Sequence, residues 1–491
     1  MKTLRALWPD TPETWADRPV TTLVGDSRRV TPGCAFVAVT GYSQDARRHI
    51  PAAIAAGAVA VFAEAGGDWQ HSHEVDGVPV LVIADLGRVL GDIADRLHDA
   101  PSAAMDVVAV TGTNGKTSIA NLIAGASQAL GRRAAVIGTL GNGFCGALKP
   151  SQFTTPDPLQ LQGLLADFRD QGATLVAMEA SSHGLEQGRM TGTRIDVALF
   201  TNLTRDHLDY HGDMDSYAAA KARLFTWPGL RAAVINVDDP QGPRYRELLA
   251  AGVNCLTTSL VADSGADLVA ESVTLSLDGI VMPVRTPQGR AILRSSLLGR
   301  FNASNLLVVL GGLLQLGHAL PDAVAALAVV QPVAGRMQCL RQPGSPLAVV
   351  DYAHTPDALE QALKAAREHT GGRLWCVFGC GGGRDTGKRP EMGRIAARLA
   401  DVCVVTTDNP REEDPQSILD HVVSGMTAGA PVTVIADRAE AIRHAVLQAS
   451  SEDLVLVAGK GHETYQEVMG VRHPFNDVEQ VSLALIARSG A

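Results

Sequence analysis

Asp106-Val-Val-Ala-Val-Thr-Gly-Thr-Asn-Gly-Lys-Thr-Ser118 is the stretch that decides the fold. Residues 106–110 are a short apolar run of strand length, and the periodicity of 117–130 is that of a helix. The turn between them holds Gly112, Thr113, Asn114, Gly115, Lys116, Thr117 and Ser118. Glycines let successive backbone N–H groups face one way, the helix N-terminus adds its dipole, and Lys116 supplies a compact positive charge. This is a phosphate-binding loop, with the Thr117 hydroxyl placed for Mg²⁺. The usual pattern has a glycine five residues before the Gly-Lys pair; Val110 stands there, so Gly112 takes over that work. A motor ATPase, a kinase and an ATP-driven ligase all fit such a loop.

Working outward, short Val/Ile/Ala runs alternate with helical patterns, which predicts an α/β chain with mainly parallel sheets. At roughly 150 residues per domain, 491 residues make about three domains. The leading part predicts strands at 35–39, 58–62 and 80–83 and helices at 46–56 and 85–98. A linker at 99–103 precedes the phosphate-loop unit, whose further strands are expected at 175–178, 197–201 and 233–236. Residues 255–298 turn polar and glycine-punctuated, an antiparallel excursion. Beyond about 333 come strands at 347–351, 373–378, 401–406, 432–435 and 454–458 with helices between them, a Rossmann-like doubly wound pattern. The boundaries are 1–98, 99–333 and 334–491.

Composition narrows the function. A net charge of 42 − 52 = −10 argues against a nucleic-acid binder working through a basic surface. Seven scattered cysteines without a CxxC pair read as reduced thiols of a cytoplasmic protein. The opening residues lack a signal-peptide core, and the apolar run 306–320, broken by Gln315 and His318, is too short and polar to span a bilayer. No membrane or nucleic-acid partner is expected.

Two further strand ends carry candidate ligands. Met178-Glu-Ala-Ser-Ser-His-Gly184 places Glu179 where a Mg²⁺-binding carboxylate meets phosphates, and Thr201-Asn-Leu-Thr-Arg-Asp-His-Leu-Asp-Tyr-His-Gly212 gathers acids and histidines, His207 among them. Alone the second cluster is an ordinary hydrogen-bonded loop; beside a phosphate loop and Glu179 it becomes a site. Lys221, in a helical run, reads from spacing as a solvated helix lysine. Asp408-Asn-Pro-Arg411 reads from its composition as a proline turn after a strand.

Together, residues 111–117, 179–184 and 202–209 resemble the Mur ligases, the ATP-dependent amide-forming enzymes of peptidoglycan synthesis. So do Gly299-Arg-Phe-Asn-Ala-Ser-Asn305, Gly335-Arg-Met337, Asp351-Tyr-Ala-His-Thr-Pro-Asp357 and Gly459-Lys-Gly-His-Glu463. The resemblance runs along nearly the whole chain and implies a UDP-binding domain, a central ATP-binding domain and an amino-acid-binding domain. It implies that Lys221 is carbamylated and joins Thr117, Glu179 and His207 around Mg²⁺, with Lys116 also catalytic. Asn302, Arg336 and Asp351 match ATP contacts. Ser27, Tyr42, Ser43, Gln44, Thr154, Thr155, Ser181, Gln187 and Arg189 match contacts to UDP-N-acetylmuramoyl-L-alanyl-D-glutamate. In the family, Asp408, Asn409, Pro410 and Arg411 go with meso-diaminopimelate, and Arg384, Gly459 and Glu463 match its remaining contacts. A fixed guanidinium suits the second carboxylate that distinguishes diaminopimelate from lysine. The expected enzyme is a cytoplasmic monomer using ATP and Mg²⁺. Folylpolyglutamate synthase, which shares the phosphate loop but lacks a comparable leading domain, is the nearest rival; a regulatory or transport ATPase is the rival of another class.

Overall fold

The computed structural model describes residues 1–41, 45–332, 335–383, 385–427, 429 and 431–489. Two compact units emerge: residues 1–258 with 308–319, and residues 259–307 with 320–491.

The first unit opens with a five-stranded sheet in the order Thr22–Val24, Cys34–Ala38, Ala60–Glu64, Val78–Ile83, His73–Val75, all parallel except the last pair. Alternation sends Ala35 and Val37 into one buried cluster with Phe62 and Leu86, and Cys34, Phe36 and Ala38 into another with Ile50 and Val61. A second sheet runs Ala147–Lys149, Gly141–Phe144, Ala134–Gly138, Leu175–Glu179, Asp106–Thr111, Val197–Phe200, Ala232–Asn236, Asn254–Ser259, parallel from Ala134–Gly138 onward. This order sets Asp106–Thr111 between Leu175–Glu179 and Val197–Phe200, so the three functional strand ends become neighbours.

Between the two sheets of this unit, one close approach is made by backbone alone. Helix Leu86–Leu97 approaches the segment 188–193 so closely that a Cβ on Gly91 would lie 1.9 Å from the Thr191 carbonyl oxygen, and one on Gly192 2.5 Å from that of Gly91. Arg169 of helix Pro158–Asp170 donates across the same region to the His98 carbonyl at 2.6 Å.

The second unit contains the expected antiparallel excursion, Leu268–Ala270, Thr274–Ser276, Gly279–Thr286 and Gly289–Ser295. It also contains a six-stranded sheet ordered Gln338–Leu340, Leu347–Asp351, Leu454–Ala458, Leu374–Phe378, Val402–Val405, Val432–Val434, parallel except at its first pair. Its helices start where Thr355, Asp414 and Asp437 cap their first turns, with Pro356 and Pro415 preset for the helix behind the first two. The doubly wound series falls within a residue or two of expectation except at the end of its third helix, which stops at Val423 instead of 426. The hairpin Tyr465–Val468/Val471–Pro474 and helix Asp477–Ser489 are additions. The apolar run near 306–320 is mostly the buried second half of helix Arg300–Gln315. No helix among the described residues is long and apolar enough to cross a membrane.

One buried ion pair organises the carboxyl ends of this sheet. Arg438 donates to both Asp477 oxygens (2.8 and 2.7 Å), to the Thr407 carbonyl (3.2 Å) and to the Ala458 carbonyl (3.0 Å), with both charged side chains fully buried. It therefore fixes the two turns that lead into Asp408–Arg411 and Gly459–Glu463. Arg438→Met strands the Asp477 carboxylate in the core; we expect a loss of about 3–5 kcal/mol, read as an earlier urea or thermal transition of the full chain.

Candidate active site

The phosphate loop is shaped by its glycines and tied to the next strand end. Gly112 has φ +148° and Gly115 φ +89°, and a Cβ on Gly112 would sit 1.9 Å from Thr201 Oγ1. The Thr113 N–H donates to the Asn202 carbonyl (2.8 Å), the Asn114 N–H to Asn202 Oδ1 (3.0 Å) and the Thr201 hydroxyl to the Asn114 carbonyl (2.6 Å). The 201–204 segment thus acts as a brace for the loop. Lys116 and Thr117 open helix Lys116–Ala129, with Ser118 in its first turn.

Two lysines end on one oxygen. Lys116 Nζ donates to the Gly112 carbonyl at 2.8 Å and to that of Thr113 at 2.9 Å, and Lys221 Nζ donates to the same Gly112 carbonyl at 2.8 Å. Lys221 is 1% exposed, which corrects the solvated-lysine reading: its helix, Met214–Ala222, turns that face inward, and the ammonium lies 4.4 Å from the centroid of the Tyr217 ring one turn back. Burial, then the charge of Lys116, pulls the Lys221 ammonium well below its ordinary range. Lys116 is lowered by burial, with Glu179 opposing.

Glu179 closes the other side. Its Oε1 accepts the Thr139 N–H (2.7 Å), and its Oε2 accepts the hydroxyls of Thr117 (3.0 Å) and Thr139 (3.2 Å). Burial pushes its carboxyl up, opposed by the Thr139 amide and by Lys116. A Cβ on Gly138 would fall 2.2 Å from Oε1, so the site requires glycine there. The Thr117 hydroxyl and the Glu179 carboxylate are adjacent hard oxygen donors, the set that suits Mg²⁺. His207 is exposed, adopts φ +52°, contacts Asp206 at 3.5 Å and packs edge-on to His183 with ring centroids 5.0 Å apart. Among the described residues, no group of three or more His, Cys, Asp or Glu is arranged to hold a metal without help from another residue type.

A connected polar chain leads away from Glu179. The Thr155 hydroxyl donates to the Glu179 carbonyl (2.8 Å) and lies 3.0 Å from Ser181 Oγ, which caps helix Ser182–Glu186. Arg189 donates to the Thr155 carbonyl (2.9 Å) and to Gln187 Oε1 (2.9 Å), and Gln187 donates to the Tyr210 hydroxyl (2.9 Å). Thr154 reaches the same system through Thr139, their hydroxyl oxygens 3.1 Å apart. Ser27 starts the short 3-10 turn Ser27–Arg29, capped by Asp26, whose carboxyl the Arg28 guanidinium holds at about 2. Tyr42, Ser43 and Gln44 lie outside the described residues, as does Arg384. Thr139, Tyr210 and Tyr217 were missed in the sequence; only the Tyr217–Lys221 spacing of one helical turn signalled any of them.

The second unit holds the remaining candidates. Asn302, 5% exposed, donates to the Leu298 carbonyl (2.8 Å) and accepts from Asn305 (3.0 Å). Asp351 accepts the N–H groups of Met337 (2.7 Å) and Ala353 (2.9 Å), while Arg336 lies 5.3 Å from the centroid of the Tyr352 ring. Around Asp408–Arg411 the backbones crowd: a Cβ on Gly382 would meet the Pro410 carbonyl oxygen at 1.9 Å, and one on Gly459 would meet Asp408 Oδ2 at 2.5 Å. Arg411 has φ +55° and donates from Nη1 to the Gly382 carbonyl (2.5 Å), and Asn409 donates to Glu463 Oε2 (2.9 Å). Burial raises the Asp408 carboxyl, with Arg438 and Lys460 opposing.

Comparison with known proteins places the chain among relatives. The family profile of the Mur ligase middle domain matches residues 110–313, and that of the Mur ligase glutamate ligase domain matches residues 335–461. A Pseudomonas aeruginosa protein named UDP-N-acetylmuramoyl-L-alanyl-D-glutamate--2,6-diaminopimelate ligase is 50% identical over 479 residues, 97% of each chain. A Ralstonia nicotianae protein of the same name is 51% identical, covering 95% of this chain and 93% of its own. A solved structure bearing that name superposes with a TM-score of 0.82 at 41% identity over the whole of both chains. A Mycobacterium tuberculosis folylpolyglutamate synthase shares the fold alone, at 19% identity and TM-score 0.58 over 76% of this chain and 92% of its own.

The crowding at Gly112 gives a direct test. Gly112→Ala must either move Thr201 or deform the loop, a strain of about 1–3 kcal/mol, and we expect nucleotide affinity to fall roughly ten- to hundredfold in a calorimetric titration of the folded variant.

Proposed function

The chain belongs to the Mur ligase family, ATP-dependent amide ligases, and on that premise we propose that it joins meso-diaminopimelate to UDP-N-acetylmuramoyl-L-alanyl-D-glutamate. The observation that carries the reading is near-full-length identity of about 50% to proteins named for this reaction, in a chain that also keeps Asp408-Asn-Pro-Arg411 beside Glu463. The folylpolyglutamate synthase likeness is one of fold and carries no activity. Residues 1–98 take the UDP moiety, 99–333 the ATP and 334–491 the amino acid. The enzyme works as a monomer in the cytoplasm.

The γ-carboxylate of the D-glutamyl residue attacks the γ-phosphorus of ATP; the P–O bond to ADP breaks and an acyl phosphate forms. Two anions must approach, so Lys116 and the loop N–H groups answer the charge that develops on the phosphoryl oxygens. Thr117, Glu179, His207 and, as its carbamate, Lys221 would hold Mg²⁺, which would supply further charge neutralisation. The diaminopimelate amine then attacks the acyl carbon, and the tetrahedral adduct expels phosphate and loses a proton to leave the amide. Thr154, Thr155, Ser181, Gln187 and Arg189, with Ser27 and Tyr42–Gln44, orient the nucleotide-sugar peptide. Asn302, Arg336 and Asp351 hold the nucleotide. Positioning of amine and acyl carbon accounts for much of the acceleration.

Lys221 fits a carbamate because it is buried, and its amine bonds to the Gly112 carbonyl that Lys116 also uses and not to a carboxylate. Its neutral amine adds CO₂, an N–C bond forms and a proton leaves to water; a cation becomes an oxygen-donor anion. We expect Lys221→Ala to lose nearly all activity and to regain part of it with acetate or formate; full activity without additive overturns the modification.

Phosphate release should require both the nucleotide-sugar dipeptide and meso-diaminopimelate. With lysine substituted, turnover should collapse, because the guanidinium of Arg411 is left unpaired and faces an ammonium. Arg411→Ala should cost about 1.5–3 kcal/mol, roughly ten- to hundredfold in kcat/KM for diaminopimelate. Equal or better use of lysine by the wild type would remove Arg411 from its role.

A further inference from the structure

Lys460 has no side-chain exposure, yet none of the proposed chemistry uses it. Its Nζ lies 2.9 Å from Glu463 Oε2, 3.0 Å from Asn409 Oδ1 and 3.9 Å from Asp408 Oδ1. All of these partners are residues assigned to the amino acid. Asn409 completes a triangle: its Nδ2 donates to the same Glu463 Oε2 at 2.9 Å, and its Oδ1 also accepts the Glu467 N–H at 2.9 Å, which fixes the amide orientation. Glu463 Oε2 thus takes two donors, and Oε1 has no hydrogen-bond partner among the described residues. The backbone holds the same shape, with the Glu463 N–H donating to the Lys460 carbonyl at 2.9 Å.

We propose that Lys460 is a positioning residue that sets amino-acid specificity, holding Glu463 and Asn409 in place and cancelling one of the two carboxylate charges contributed by Asp408 and Glu463. The inference rests on the reading of Asp408–Arg411, Gly459 and Glu463 as the diaminopimelate site. A buried ammonium survives only with close acceptors, so Lys460 and its partners form one unit whose geometry is set before substrate arrives. Charge explains the selectivity. The distal end of diaminopimelate carries an ammonium and a carboxylate and is neutral overall, whereas that of lysine is a cation. With Lys460 and Arg411 both present, the charges of Asp408 and Glu463 are balanced, which matches the neutral zwitterion. Without Lys460, Asp408 and Glu463 present an excess negative charge that repels the second carboxylate and attracts lysine.

The test is steady-state kinetics on the full chain. Lys460→Met keeps the length of the side chain and removes its charge. KM for meso-diaminopimelate should rise about tenfold or more while kcat and the KM values for ATP and the nucleotide-sugar dipeptide stay within about threefold, and the preference for diaminopimelate over lysine should shrink by a similar factor. Placed on Glu463→Gln, the same change should raise KM only about twofold, since its target charge is gone. If Lys460→Met does not fold, Lys460→Gln is measured in the same way. A folded variant whose diaminopimelate KM is unchanged, or whose KM values rise together for all three substrates, overturns the role of Lys460. A wild type that ignores diaminopimelate overturns the site reading beneath it.

Discussion

A charge taken out of water must be met by another group, and the functional strand ends of this chain are built to that constraint. In the first unit, the Gly112 carbonyl receives two lysine ammoniums while Glu179 is held by two threonines and a backbone N–H. In the second, Arg438 with Asp477, and Lys460 with Glu463, lock the turns after Thr407 and Ala458. Loops at strand ends would otherwise be soft; buried charge makes them stiff, because any displacement leaves an ion without its partner. A chain of net charge −10 can therefore bind phosphates and carboxylates, since a few fixed cations decide the local field.

Glycine supplies the complementary constraint of space. Along Gly379–Gly383 the chain runs against Thr406–Pro410 with carbonyls where side chains would be: a Cβ on Gly379 would lie 2.2 Å from the Thr406 oxygen, and one on Gly382 even closer to that of Pro410. The glycine run brings the Gly382 carbonyl, four residues beyond strand Leu374–Phe378, within hydrogen-bond reach of Arg411. Close backbone approach and buried charge together leave little room for a side chain at Gly379 or Gly382.

The phosphate loop was legible because its geometry is local: a strand, two glycines, a lysine and the start of a helix, all within thirteen residues. The doubly wound series was legible for the same reason, each element announcing itself by period and cap. What escaped depends on the third dimension. Lys221 looked solvated because its helix has one polar-looking face in sequence, and only the tertiary packing of Met214–Ala222 turns that face toward Gly112. Thr139 follows a strand with no motif around it, and its two bonds to Glu179 come from strand order, not sequence distance. The hairpin Tyr465–Val468/Val471–Pro474 is short and carries charged residues, so alternation there is weak. The residues from Thr154 to Arg189 that the family resemblance assigns to the substrate have no local signal of their own, and the structure links them into one hydrogen-bonded path.

The seam between helix Leu86–Leu97 and segment 188–193 has a mechanical meaning. Backbone meets backbone at Gly91 and Gly192, so a side chain at either position would have to part the two segments. Segment 188–193 includes Arg189, which is bonded to Thr155 and through it to the strand end at Glu179. A wedge of one methyl group there would bear, through Arg189 and Thr155, on the strand end at Glu179.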